Sequence, residues 1–161
     1  MTTQVRYGVT RTGGWGGWII RVATRSTVNH AFVVNQDGDT IEAQPGGMTY
    51  RSNGLASYPG AILSDPIDGK QADTVWAWSV AHLGVGYGWL DIVAIALAVA
   101  RFPTPKWAVK RLTNTNTLIC SQAVATAYTA AGIHLGNKPP AATTPGDLLH
   151  VLHNEPEPAN W

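Results

Sequence analysis

Three side chains in this sequence could carry covalent chemistry together: Cys120, His30 and Glu42. Cys120 is the sole cysteine. It stands near the front of an Ala-rich run, Thr117 to Ala131, that Gly132 closes. That composition predicts a helix, with Asn116 or Thr117 as its cap. A thiol in the first turn meets unpaired N–H groups and the positive end of the helix dipole. Both favour thiolate over thiol. The same N–H groups could hold the oxyanion formed when a thiolate attacks a carbonyl. The competing role is a plain one, a small buried hydrophobe.

A cysteine nucleophile needs a base, and a histidine base needs a group that fixes its tautomer. Of five histidines, His30 opens an apolar strand directly after a polar loop. Scaffold positions of that kind often carry site residues. His82, His134, His150 and His153 sit at or beyond helix ends, where a cation suits the dipole. Behind His30 the chain reads as a hairpin. Asn29 to Gln36 is one strand, Asp37-Gly38 the turn and Asp39 to Gln44 the return. The register decides whether Glu42 can serve His30. With a two-residue turn, Val33 pairs with Glu42, and His30 and Glu42 face opposite sides. With a three-residue loop or one bulge, Phe32 pairs with Glu42, and Gln44 lies opposite His30. Only the second register puts His30 and Glu42 on one face. Glu42 lies between Ile41 and Ala43, so it either finds a partner or faces solvent.

The elements that must position these residues follow from local pattern. Val5–Thr10 is a first strand. Gly13 to Gly17 is a Gly-rich turn or cleft rim without phosphate-loop spacing. Trp18 to Thr24 reads as a strand, being rich in β-branched residues. Met48 to Arg51 and Ala61 to Ser64 are further strands. Asp68 to Leu83 is a helix ending at Gly84, and Val85 to Gly88 a turn. Trp89 to Arg101 is a helix apolar nearly all round, and Phe102 to Asn116 a linker with four cations at or near it (Arg101, Lys106, Lys110 and Arg111). Thr144-Pro-Gly-Asp147 starts a last helix: Thr144 caps it, Pro145 fills the first position and Asp147 is the capping-box acid. Strands first and helices after give an α+β class.

The 161 residues suggest one domain over 1–153 and a Pro-rich tail over 154–161, disordered unless Trp161 docks. A net charge of +1 with 13% charged residues gives no case for a nucleic-acid partner. A single cysteine excludes an internal disulfide and a zinc–cysteine cluster. No signal core or spanning apolar run is present, so the expectation is cytoplasmic synthesis.

The stretch from Asn29 to Ala43 resembles the histidine hairpin of the NlpC/P60 cysteine peptidases. The order His, Glu, Cys is similar to that of the circularly permuted branch, with its YiiX/YebB-like and lecithin:retinol acyltransferase-like members. Leu118 to Val124 resembles that branch's Cys-Ser-Glu-Leu-Val helix start, with Gln122 in place of the glutamate. Gly84 to Leu90 resembles its Gly-x-x-Tyr-Asp segment, and Thr143 to Leu149 its Thr-Pro-Gly-Asp-Leu segment. The resemblance implies a papain-like core, a small antiparallel sheet packed against helices. It implies Cys120 as nucleophile, His30 as base, Glu42 as orienting acid and Tyr87 lining the substrate cleft. No metal or cofactor is required.

The family's best-known substrates are amide bonds of peptidoglycan peptides. A cell-wall peptidase or amidase, delivered by a phage particle or another export system, is therefore the first expectation. The second is a lipid or acyl amide or ester hydrolase or acyltransferase, with the apolar helix against a membrane. The third is a structural or binding module without activity, for instance in a virion.

Overall fold

A computed structural model describes residues 4–87 and 117–153. The expectations for the apolar helix, for the linker after it and for the tail lie outside these residues. The described chain is α+β. Five strands, β1 (Val5–Thr10), β2 (His30–Asn35), β3 (Thr40–Gln44), β4 (Gly47–Arg51) and β5 (Ile62–Leu63), form one antiparallel sheet in the order β4-β3-β2-β1-β5. The helices are α1 (Trp15–Thr24), α2 (Gly69–Ala81), α3 (Cys120–Ala130) and α4 (Pro145–His153). None is long and apolar enough to cross a membrane.

Alternation along β1 builds the main core. Val5, Tyr7 and Val9 point to one side with Ala31 and Val33 of β2. There they meet Ala72 and Val75 of α2, Val124, Ala127 and Tyr128 of α3, and Leu148 of α4. The Tyr7 and Tyr128 rings meet edge to face at 5.5 Å. The α3 helix ends in paired backbone bonds, Gly132 N–H to Thr129 O and Ile133 N–H to Tyr128 O, with Gly132 at positive φ. The last helix starts as its sequence predicts: Thr144 N–H donates to Asp147 Oδ2 and Asp147 N–H to Thr144 Oγ1.

Two expectations are corrected. The first concerns Trp18 to Thr24, read as a strand, and Gly13 to Gly17, read as a turn. Together they supply α1, which begins at Trp15. The β-branched residues favour a strand locally, but tertiary contacts at helical spacing override them. A Cβ on Gly17 would lie 2.3 Å from Asn29 Nδ2, so only glycine permits this approach. Four residues on, Arg21 Nη1 donates to Thr12 O and Asn29 Oδ1. Trp18 and Val22 face away, 55% and 56% exposed, at the same four-residue spacing.

The second correction concerns Val85 to Gly88, read as a turn. Gly86–Tyr87 is a short strand, β6, paired in parallel with β7 (Thr117–Leu118). Residues 84 and 85 also bond to the edge of β4, through Met48 N–H to Val85 O and Gly84 N–H to Met48 O. A two-residue strand carries too little pattern to show in the sequence.

The opposite face of the sheet is covered by residues 52–61. A 3-10 turn, Gly54–Ser57, presses on the hairpin. Asn53 N–H donates to Asp39 Oδ1 and Leu55 N–H to Gly38 O. A Cβ on Gly54 would stand 2.0 Å from Thr40 Oγ1, and Thr40 is fully buried. Gly54→Ala is therefore expected to destabilise the fold by about 1–3 kcal/mol, as overpacking does. A drop in the urea midpoint without a change in slope checks it.

Candidate active site

The hairpin takes the three-residue register. Val33 pairs with Ile41 and Val34 with Thr40. The closing pair is Asn35 and Asp39, with Gln36, Asp37 and Gly38 between them. Gly38 N–H donates to Asn35 O, and Gly38 takes φ 82°, the left-handed step that closes this kind of loop. The Asn35 side chain reinforces it, its Oδ1 accepting from the N–H groups of Asp37 and Asp39. Continued past Val33, this register sets Phe32 opposite Glu42 and Gln44 opposite His30. The ladder itself stops at Val33–Ile41. His30 is the first residue of β2, so its ring stands at the open end of the hairpin.

His30 Nε2 and Glu42 Oε2 are 2.5 Å apart, and both side chains are almost wholly buried. Burying a carboxylate is costly unless it is partnered. Glu42 has several partners. The Tyr58 hydroxyl donates to Oε2 at 2.6 Å, and Arg51 Nη1 lies 3.5 Å from Oε1. Burial pushes the carboxyl pKa up, but the bonds from His30, Tyr58 and Gln44 and the charge on His30 outweigh it, bringing it down to about 2. On the imidazole, burial pushes down. Bonds and charges from Cys120 and Glu42 prevail and lift it to about 9. The ring has two nitrogens, and Nε2 is engaged by Glu42. Nδ1 is therefore the nitrogen left for the Cys120 side chain, which also interacts with the ring.

Cys120 is the first residue of α3 and is buried. Its sulfur is 4.0 Å from the carbonyl oxygen of Asn29, the residue before His30. The helix cap is neither Asn116 nor Thr117. Ile119 occupies the cap position and has no hydroxyl to offer. Gln122 takes over: its Oε1 accepts from Ile119 N–H, while its Nε2 donates to Ala141 O at 2.7 Å. Ser121 Oγ donates to Thr143 O at 2.7 Å. The first turn of α3 is thus bolted to residues 141–143. Gln122 both accepts and donates here, and an ionised glutamate could not donate.

Apolar side chains surround the thiol: Ile41, Ala43, Met48 and Ala123, with Val85, Tyr87 and Leu118 packed against them. Tyr87 is half-buried in this group. Its pKa is pushed up by burial and by the charge on Cys120. The other four histidines lie away from this group. His82 stacks on Trp78 and bonds its carbonyl, and His150 and His153 fall in the last turn of α4. His134 follows α3, a few residues beyond its end. Among the described residues, no group of three or more His, Cys, Asp or Glu is arranged to hold a metal ion.

Sequence reasoning missed Tyr58. It lies in Ser57-Tyr58-Pro59-Gly60, a turn with no motif, and its contact with Glu42 spans 16 residues of chain. Only the fold of the 52–61 segment over the hairpin brings it there. Comparison with protein-family models, with curated proteins and with solved structures returns no match.

Proposed function

We propose that the chain is a cysteine hydrolase with a papain-like, circularly permuted NlpC/P60 arrangement, acting on an amide bond of a peptidoglycan peptide. The observation that carries this reading is the His30 ring, bound to a buried carboxylate at one nitrogen and interacting with a helix-terminal cysteine. A structural histidine needs one partner. A ring placed between a carboxylate and a thiol is arranged for proton transfer.

In this mechanism the Cys120 thiolate attacks the amide carbonyl. The backbone N–H groups that open α3 stabilise the oxyanion. The C–N bond breaks as His30 gives its Nδ1 proton to the leaving amine, leaving a thioester. Water then attacks the thioester and His30 takes its proton. The carboxylic acid departs and the starting thiolate–imidazolium pair is restored. Glu42 holds the ring by Nε2 and favours its cationic form throughout. Tyr87 lines the acyl side.

The apolar surroundings of the thiol favour a second reading, in which the same residues cleave a fatty acyl amide or ester. Muropeptides and N-acyl amines, incubated separately with native protein and with Cys120→Ser, separate the two. Cysteine-dependent release of an amine from the muropeptides is the expected result. Release only from acyl amines would move the substrate to lipids. Cleavage of neither substrate, with a thiol inert to alkylation, would leave a binding or structural module.

A further inference from the structure

We propose that Tyr58 is a positioning residue of this site: its hydroxyl fixes the Glu42 carboxylate, and its ring shields the Glu42–His30 pair from water. The inference takes its chemical meaning from the hydrolase reading above, but its geometry stands apart from it.

The hydroxyl donates to Oε2, the same carboxylate oxygen that His30 Nε2 meets. An sp2 oxygen has two lone pairs in one plane. With Tyr58 on one and His30 on the other, the carboxylate cannot rotate without losing a bond. The hydroxyl proton is itself directed. Gln44 Nε2 donates to the Tyr58 oxygen at 3.3 Å, which leaves the O–H to point at Glu42. Two residues apart on β3, Glu42 and Gln44 share a face, and Tyr58 bridges them.

The ring has its own seat. It stacks on Phe32 at 5.0 Å and 21°, and its centroid is 5.7 Å from that of His30. Burial and the bond to Glu42 push its own pKa up to about 12, so it remains a donor at neutral pH. Among the described residues, the charged and titratable groups facing the pair are Cys120, Tyr58 and the part-exposed Arg51. Of these, only Tyr58 touches both the carboxylate and the imidazole.

Two variants of the full chain test the role. Tyr58→Phe keeps the stacked ring and removes the hydroxyl. Water can then bridge Gln44 and Glu42, a looser substitute. Tyr58→Leu removes the shield as well. The readout is the titration midpoint of the His30 ring by NMR, alongside the pH dependence of iodoacetamide alkylation of Cys120. Solvent beside Glu42 weakens its hold on the imidazolium. The midpoint should therefore fall from about 9, by about half a pH unit in Tyr58→Phe and about one unit or more in Tyr58→Leu. The acid form of the ring should also lose its grip on the alkylation rate at correspondingly lower pH. An unchanged midpoint in both variants, even with a lower melting temperature, would reduce Tyr58 to packing and overturn the proposal. Should Tyr58→Leu fail to fold, Tyr58→Phe alone decides. An inert thiol in the native protein would sink the hydrolase reading, yet the His30 midpoint would still report on Tyr58.

Discussion

Glu42→Gln is expected to lower the unfolding free energy near pH 5.5 by about 3 kcal/mol, read from urea midpoints. The magnitude follows from the carboxyl pKa, which drops from 4.5 to about 2 on folding. It also matches the usual cost of breaking a buried pair from one side, about 3–5 kcal/mol. The pH dependence has two limbs. A depressed carboxyl contributes stability that is present above 4.5 and lost as pH falls through about 2. A raised imidazole contributes stability that is present below 6.5 and lost as pH rises through about 9. Both limbs contain the His30–Glu42 interaction, so they are not added. Native protein should be most stable between about pH 4.5 and 6.5. In Glu42→Gln the acid limb should vanish, and the alkaline limb should shrink to what Cys120 alone sustains. A native-like pH profile in that variant would show that the pair contributes nothing to folding.

His30→Ala is expected to slow alkylation of Cys120 near pH 6 by about a hundredfold, the usual worth of a positioned acid–base group. An adjacent imidazolium favours the anion, and His30 remains cationic well past neutrality. Removing it should therefore return the thiol to its unassisted rate. The sole cysteine makes the assay unambiguous by intact mass. The variant retains the Tyr58 and Arg51 contacts to Glu42, which helps it fold. Equal rates in the two proteins would leave Cys120 a buried hydrophobe.

How much of this was legible depended on how local each cause is. The hairpin could be read because its turn chemistry lies within Asn35 to Asp39, and its two possible registers could be written down in advance. Choosing between them needed the Asn35 side chain, whose two backbone bonds close the longer loop. The α4 start was legible for the same reason, since Thr144 and Asp147 satisfy each other. The α1 segment was not. Its helix depends on Gly17 and Arg21 meeting Asn29, whose position is fixed by tertiary structure. Nor was the cap of α3, because Gln122 works partly through Ala141. Tyr58 was the least accessible of all: its role exists only once the 52–61 segment lies over β3. The papain-like likeness rested on short motifs in order, and what the geometry adds is the meeting of His30 with Glu42 and Cys120.

The pairing of β6 with β7 ties one edge of the sheet to the thiol. Gly84 and Val85 bond to Met48 of β4, Gly86 and Tyr87 pair with Thr117 and Leu118, and Cys120 follows two residues later. The backbone at the sulfur is therefore held from two directions, by the sheet edge through β6 and β7 and by residues 141–143 through Ser121 and Gln122. A substitution that displaces β4 would reach Cys120 along these short backbone links without touching any side chain around the sulfur.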